Sequence, residues 1–356
     1  MPDTHELLIN IDLTIEKFFP KKWKEKNFSF FIGEPKFEID SKTLNKNLND
    51  PIRDFVLRGG KRIRPLIFLT CIDFFGLNYK NYLDFAAIIE LLHNGTLVLD
   101  DIEDNAALRR GKPTCHKKFG LDTATNTGVS LHLLPLKILL SKRKTLPPAK
   151  ELAIWQIIME ELINVSFGQA LDIYWHKNKS ADEVNLKRYL EMVRLKTGSL
   201  MRMSTRLACV IAGEGEKIQK IFKDFGESIG VAFQIIDDCL DLAPPDEKFG
   251  KSVGNDITEG KLSLPVIYAL RILKNQNEFK KRERLIQILS KHTRDRKLIH
   301  EAIDLIKGSG AIRKSVKFAN KLIDKTWLKL EEKLDRKNGK LDSLQELSYF
   351  LVKRNF

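Results

Sequence analysis

Short runs alternating between apolar and polar residues, the mark of half-buried strands, are nearly absent from this 356-residue chain, which excludes a sheet-based fold. Its four cysteines, Cys71, Cys115, Cys209 and Cys239, lie far apart and form no CxxC pair. That argues against a zinc site or a disulfide framework and suits a reducing compartment. No Ser- or Pro-rich linker divides the chain, and no short-period repeat runs through it. The opening MPDTHELLINIDLTIEKFF is acidic and amphipathic, unlike a signal peptide, and no later run stays apolar long enough to span a bilayer. These absences point to a cytoplasmic protein.

What is present is apolar spacing of three and four residues, as in LDFAAIIELLHNGTLVLDDI and IWQIIMEELINVSFGQALDIYW. Breaks fall at GGKRIRP, RRGKPT, TLPPAK, AGEGEK, APPDEKFGKSVGND and KGSGA, where Gly or Pro would stop a helix. The expectation is an all-α protein of roughly a dozen helices: a single helical domain from 41 to 356 behind an N-terminal extension, 1–40, whose aromatic and lysine residues show no clear period. The net charge of +14 would suit an anionic partner, but lysines are scattered over the whole chain, so a solvated surface explains most of it.

Charge is concentrated at two places. LVLDDIEDNAALRRGKPTCH carries Asp100, Asp101 and Asp104 behind an apolar run, and FQIIDDCLDL repeats the spacing with Asp237, Asp238 and Asp241. On a helix, residues four apart share a face about 5.4 Å apart, so each set gathers three carboxylates. Left alone they would repel one another and burden a helix end where the macrodipole already disfavours anions. A cation between them resolves this, and magnesium suits hard oxygen ligands, taking one or two carboxylates while phosphate oxygens and water complete its shell. The bland alternative, a solvated acidic turn, does not explain two such copies.

GGKRIRP offers Lys61, Arg62 and Arg64 in a Gly-opened turn; guanidinium forks grip phosphate oxygens in pairs, whereas lysine acts as a point charge. Arg109, Arg110, Lys196, Lys251 and Lys261 extend the set. Carboxylates, metal ions and cations lining a helical cavity would suit diphosphates.

In the order GGKRIRP, HNGTLVLDDIEDNAALRRGKP, LKTGSL, FQIIDDCLDL and GKSVGNDITEGKLSLP, from about Gly59 to Lys261, the chain resembles the trans-prenyltransferase family, the head-to-tail isoprenyl diphosphate synthases. It is most like members that make geranylgeranyl diphosphate. The resemblance implies an isoprenoid synthase fold with a central cavity, three magnesium ions, an allylic diphosphate and isopentenyl diphosphate as substrates, and a homodimer. It implies metal binding by Asp100, Asp104 and Asp237, with Asp101, Asp238 and Asp241 supporting the clusters directly or through water; Asp241 is counted among the metal ligands. Lys61, Arg64, His93 and Arg110 match positions that hold isopentenyl diphosphate. Arg109, Lys196, Thr197, Gln234, Lys251 and Lys261 match those that hold the allylic diphosphate, and Lys196 and Lys251 join the aspartates in the catalytic set. His116 and His132 keep a structural reading.

Ile89, Leu92, Gly95 and Thr96 fall on the face beneath Asp100 and are expected to line the slot for the growing chain. In short-chain relatives an aromatic four or five positions before the first motif closes this slot; small Gly95 and Thr96 predict growth past fifteen carbons. Ser130 and Leu133 stand on the neighbouring helix where the resembling synthases carry aromatics, so a product longer than twenty carbons competes. Other readings are a class I terpene cyclase, against which Asp237, Asp238 and Asp241 argue, a non-catalytic subunit, and a nucleic-acid binder, for which no one-sided basic cluster is seen. No nucleic-acid partner is expected, and a transient membrane contact during release of a greasy product stays open.

Overall fold

Leu7, Ile11 and Ile15 recur every four residues along α1 (Thr4–Phe18) and are all buried, so one apolar stripe docks this helix on its neighbours. The computed structural model describes residues 4–143, 146–178, 183–242, 253–334 and 341–352. Contacts group the chain into two compact units, Met1–Trp155 with Leu207–Gly213 and Gln156–Arg206 with Glu214–Phe356, where the sequence pointed to one bundle. The division runs through continuous helices, so no change of composition marks it.

In the first unit, α1 is followed by α2 (Glu25–Ile32), α3 (Ser41–Leu44), a π-helical turn Asn45–Asn49 and α4 (Asp50–Val56). Next come α5 (Ile63–Phe74), α6 (Leu83–Glu103), a hairpin of β1 (Leu108–Arg109) and β2 (Lys112–Pro113), α7 (Cys115–Phe119) and α8 (Leu121–Ser141). Residues 4–40 are integral to this unit. Trp23 packs against Phe31 at 5.3 Å between ring centroids. Asn45 accepts from the Trp23 backbone N–H at 2.7 Å and donates to the Trp23 carbonyl at 3.0 Å, and Asn49 donates to the Pro20 carbonyl. Such paired amide bonds fix an irregular segment that has no helical period to recognise.

Tyr79–Glu103 has the length and apolarity to cross a bilayer, contrary to the expectation that no run does. Its burial inside the unit, from Phe85 to Leu92 and again at Val98, identifies it as a core helix. α6 lies against α5 on one side and α8 on another.

The second unit takes the C-terminal part of α9 (Pro148–Asn178), then α10 (Leu186–Val193), a π-helical turn Arg194–Gly198, the N-terminal part of α11 (Ser199–Ala212) and α12 (Glu216–Asp241). It continues with α13 (Asn255–Glu259), α14 (Leu264–Asn275), α15 (Phe279–Ser290), α16 (Arg296–Gly308), α17 (Ala311–Lys333) and α18 (Leu341–Val352). α12 packs along α17, with Phe225 and Trp327 at 6.2 Å between centroids. Arg202 is fully buried between Glu161 (2.7 Å) and Glu227 (2.8 Å), an ion network that fixes a particular packing more than it adds stability. All four cysteines are buried and none is in a disulfide.

Candidate active site

The first acidic set sits at the C-terminal end of α6, with Asp104 as the residue that ends the helix. Asp101 is completely buried, and burial raises its pKa to about 6 against the pull of Arg109. Arg109 Nε donates to Asp101 Oδ1 at 2.7 Å, and its Nη2 lies 3.4 Å from Asp100 Oδ2. Part of the cation the carboxylates require is therefore internal. Arg109, expected on the allylic diphosphate, is engaged by Asp101 here. Asp101 Oδ2 is buried with no hydrogen-bond partner.

Residues 108–113 turn back through Arg110 and Gly111, both at positive φ (54° and 72°), the pair a type I′ hairpin requires. This tight turn lays the Arg110 guanidinium on the backbone of Gly60, where a Cβ would come within 3.1 Å of its Cζ. Glycine at 60, itself at φ 135°, is needed for that approach. Arg64 Nη1 donates to His93 Nε2 at 2.9 Å; desolvation and then the Arg64 charge hold His93 well below its ordinary pKa, so it accepts as a neutral ring. Arg64, His93 and Arg110 are thus brought together, with Lys61 exposed on the same turn. Arg62 is not: its side chain is consumed inside the protein by Glu90, Asp12 and the Val56 carbonyl.

The chain-length residues divide. Ile89 and Leu92 are wholly buried, and Thr96 is half-buried with its hydroxyl on the His93 carbonyl. Gly95, expected to open a slot, is instead a packing contact: a Cβ there would meet His132 Nδ1 at 2.9 Å and Leu131 Cβ at 3.1 Å. Gly128 makes the reciprocal approach to Leu99, so small residues let α6 and α8 close on each other. Ser130 is half-buried and Leu133 is 60% exposed, so Leu133 closes nothing within the chain. His132 bonds the Gly128 carbonyl, in keeping with its structural reading.

The second acidic set ends α12. Asp238 is buried and its pKa is raised to about 6 by burial, although Tyr189 and Gln234 stabilise its charged form. Tyr189 Oη donates to Asp238 Oδ2 at 2.6 Å, Gln234 Nε2 donates to Asp238 Oδ1 at 2.8 Å, and Thr197 Oγ1 donates to Gln234 Oε1 at 2.8 Å. One chain of bonds therefore sets Thr197 from Asp238. Asp237 is half-buried beside it. The carboxylate of Asp241 accepts the backbone N–H groups of Asn255 and Asp256, so it caps α13, a task that competes with the metal ligation expected of it. Lys196 pairs with Asp172 at 2.6 Å and Lys261 with Glu259. Lys251 lies outside the described residues.

Sequence reasoning missed Asp172 and Tyr189. Asp172 stands in GQALD on α9, a helix that also carries Glu151, Glu160 and Glu161, and no spacing sets it apart from them. Tyr189, fully buried on α10, carried none.

Hard carboxylate oxygens and the orphaned Asp101 Oδ2 fit magnesium. Among the described residues no group of three His, Cys, Asp or Glu side chains is placed to hold a metal ion.

The first unit thus carries an aspartate-ended helix with a guanidinium–histidine cluster, and the second an aspartate-ended helix with a lysine–threonine turn. The family model for polyprenyl synthetase matches residues 45–306, and the chain belongs to that family of prenyltransferases. It is 32% identical to a geranylgeranyl diphosphate synthase of Sulfolobus acidocaldarius, over 83% of this chain and 87% of the relative. It is 34% identical to heptaprenyl diphosphate synthase component 2 of Bacillus subtilis, over 84% and 80%. The solved geranylgeranyl pyrophosphate synthetase of Pyrococcus horikoshii superposes with a TM-score of 0.81 at 31% identity, covering 99% of this chain and 98% of that one.

Proposed function

We propose that the protein condenses isopentenyl diphosphate with allylic diphosphates, head to tail, to give geranylgeranyl diphosphate. The observation that carries this reading is the cluster of Arg64, His93 and Arg110, in which Arg110 Nη1 and His93 Nδ1 are buried without a partner. Buried donors of this kind call for an anion. The names of the similar synthases supply the product class.

Lys61, Arg64, His93 and Arg110 hold isopentenyl diphosphate. Lys196, Thr197, Gln234, Lys251 and Lys261, with Arg109 if Asp101 releases it, hold the allylic diphosphate. Asp100, Asp104 and Asp237 are the metal ligands, with Asp241 joining them if α13 yields its cap, and Asp101 and Asp238 brace the two sets from within. Magnesium, as three ions, supplies electron withdrawal from the allylic diphosphate when bound. The carbon–oxygen bond then breaks, the double bond of isopentenyl diphosphate attacks the allylic carbocation, and the departing diphosphate takes the proton. No nucleophilic side chain is needed.

A longer product is the second reading, favoured because neither Ser130 nor Leu133 provides an aromatic floor. A homodimer is proposed on the exposed apolar face of α9, where Met159, Ile163, Phe167 and Tyr174 follow a helical spacing. The protein is placed in the cytoplasm, without a nucleic-acid partner and with at most transient membrane contact during product release. The test is incubation with magnesium, isopentenyl diphosphate and dimethylallyl, geranyl or farnesyl diphosphate, followed by product chain length. Twenty carbons supports the reading, longer chains support the second, and arrest at farnesyl diphosphate or no elongation refutes both.

A further inference from the structure

Arg62 sits in the phosphate-gripping turn yet cannot grip phosphate. Its side chain is fully buried and its donors are taken: Nη1 by Glu90 Oε1 at 2.7 Å, Nε by Asp12 Oδ1 at 3.0 Å, and Nη2 by the Val56 carbonyl and Asp12. It also holds φ 45°, ψ 37°, a left-handed conformation that a residue with a side chain adopts only when its surroundings impose it. Glu90 is 2% exposed and its Oε1 lies 4.0 Å from Arg110 Nη2. Two cations therefore compete for one buried carboxylate, and Arg62 is the nearer. Asp12 comes from α1, which lies before residue 45, where the family match begins.

We infer that Arg62, anchored by Asp12 of the N-terminal helix, is a positioning residue that takes up the Glu90 charge and so leaves Arg110 for isopentenyl diphosphate. This rests on the proposed assignment of Arg110 and Lys61 to that substrate. It gives the N-terminal segment a task in the reaction: α1 docks by Leu7, Ile11 and Ile15 and presents Asp12 to the turn. Without Arg62, Glu90 Oε1 keeps only the neutral Asn94 amide at 2.8 Å and draws Arg110 toward itself, because a buried charge left without its charged partner is strongly destabilised. Asp12 is 44% exposed, so its own removal acts more weakly than that of Arg62.

The test compares the full chain with Arg62→Met, Asp12→Asn, Arg62→Met/Glu90→Gln and Lys61→Ala, measuring KM for each substrate, kcat and Tm. Arg62→Met is expected to raise the KM for isopentenyl diphosphate about tenfold and Asp12→Asn about threefold, with the allylic KM unchanged. Adding Glu90→Gln should return the KM to within about threefold of the parent, since the charge that recruits Arg110 is gone. A scaffold role alone would give no such rescue. A double variant no better than Arg62→Met, or equal rises in both KM values, overturns the inference. Asp12→Asn, which removes one exposed charge, keeps the question answerable if Arg62→Met does not fold; an unchanged KM there also overturns it. Lys61→Ala separates the two levels: if it leaves the isopentenyl diphosphate KM unchanged, the substrate assignment itself has failed.

Discussion

Gly168→Ala should disable the turn that carries Lys196 and Thr197. A Cβ at 168 would lie 2.3 Å from the Lys196 backbone nitrogen and 2.7 Å from its Cα, atoms that cannot swing aside as a side-chain tip can. Restoring ordinary contact at 3.4 Å requires the π-helical turn Arg194–Gly198 to move by about 1 Å. It cannot move freely, because Gly198 meets α12 at Gly230, where a Cβ would come within 2.7 Å of the Gly198 Cα, and Arg202 Nη1 holds the Arg194 carbonyl at 3.0 Å. Overpacking of this kind costs about 1–3 kcal/mol of stability, whereas a 1 Å displacement of a positioning group costs about 10²-fold in rate. Steady-state incorporation of labelled isopentenyl diphosphate at varied allylic substrate should therefore show kcat/KM for the allylic diphosphate reduced by about 10²-fold. Circular dichroism melting should show a protein still folded. Activity within twofold of the parent, or an equal loss toward isopentenyl diphosphate, would refute the reasoning.

The buried carboxylates predict a pH dependence. Asp101 and Asp238 have pKa values raised to about 6, so in the metal-free protein their neutral forms add stability that is complete below the unfolded carboxylate range and lost as pH rises through about 6. Tm of the metal-free protein should rise between pH 7.5 and 5, and Asp101→Asn with Asp238→Asn should flatten the trend; the activity profile should fall on the acid side near 6, where the charged forms are lost. Tyr189→Phe removes a buried 2.6 Å donor from Asp238. It should cost about 1–3 kcal/mol in denaturant titration and move the acid limb of the rate profile upward. Ile11→Ala, fully buried on α1, should lower stability by about 2–5 kcal/mol, whereas an N-terminal segment independent of the core would show none of that loss.

The aspartate sets were legible because a four-residue spacing has one geometric meaning on a helix, and helices are what the apolar period specifies. The cations of GGKRIRP were legible as a group but not as individuals: that Arg64 meets His93 while Arg62 is spent on Glu90 depends on which way a left-handed residue points. Neither π-helical turn shows in the sequence; the second lies where Gly168 and Gly230 approach it closely from other helices. Gly95 was read as space because smallness alone does not say whether a neighbour fills it, and His132 does. The aromatic N-terminal segment lacked a period because its order comes from Asn45 and Asn49 side chains on backbone carbonyls.

The central claim, that both aspartate sets serve one magnesium-assisted ionisation, is tested most directly by Asp100→Ala, Asp237→Ala and the double variant in the elongation assay. Each single change should reduce kcat by about 10³-fold, and the double should be scarcely worse, since ligands acting as a unit are not additive. Retention of more than about a tenth of the parent rate by either single variant, or a fully additive double, would contradict it.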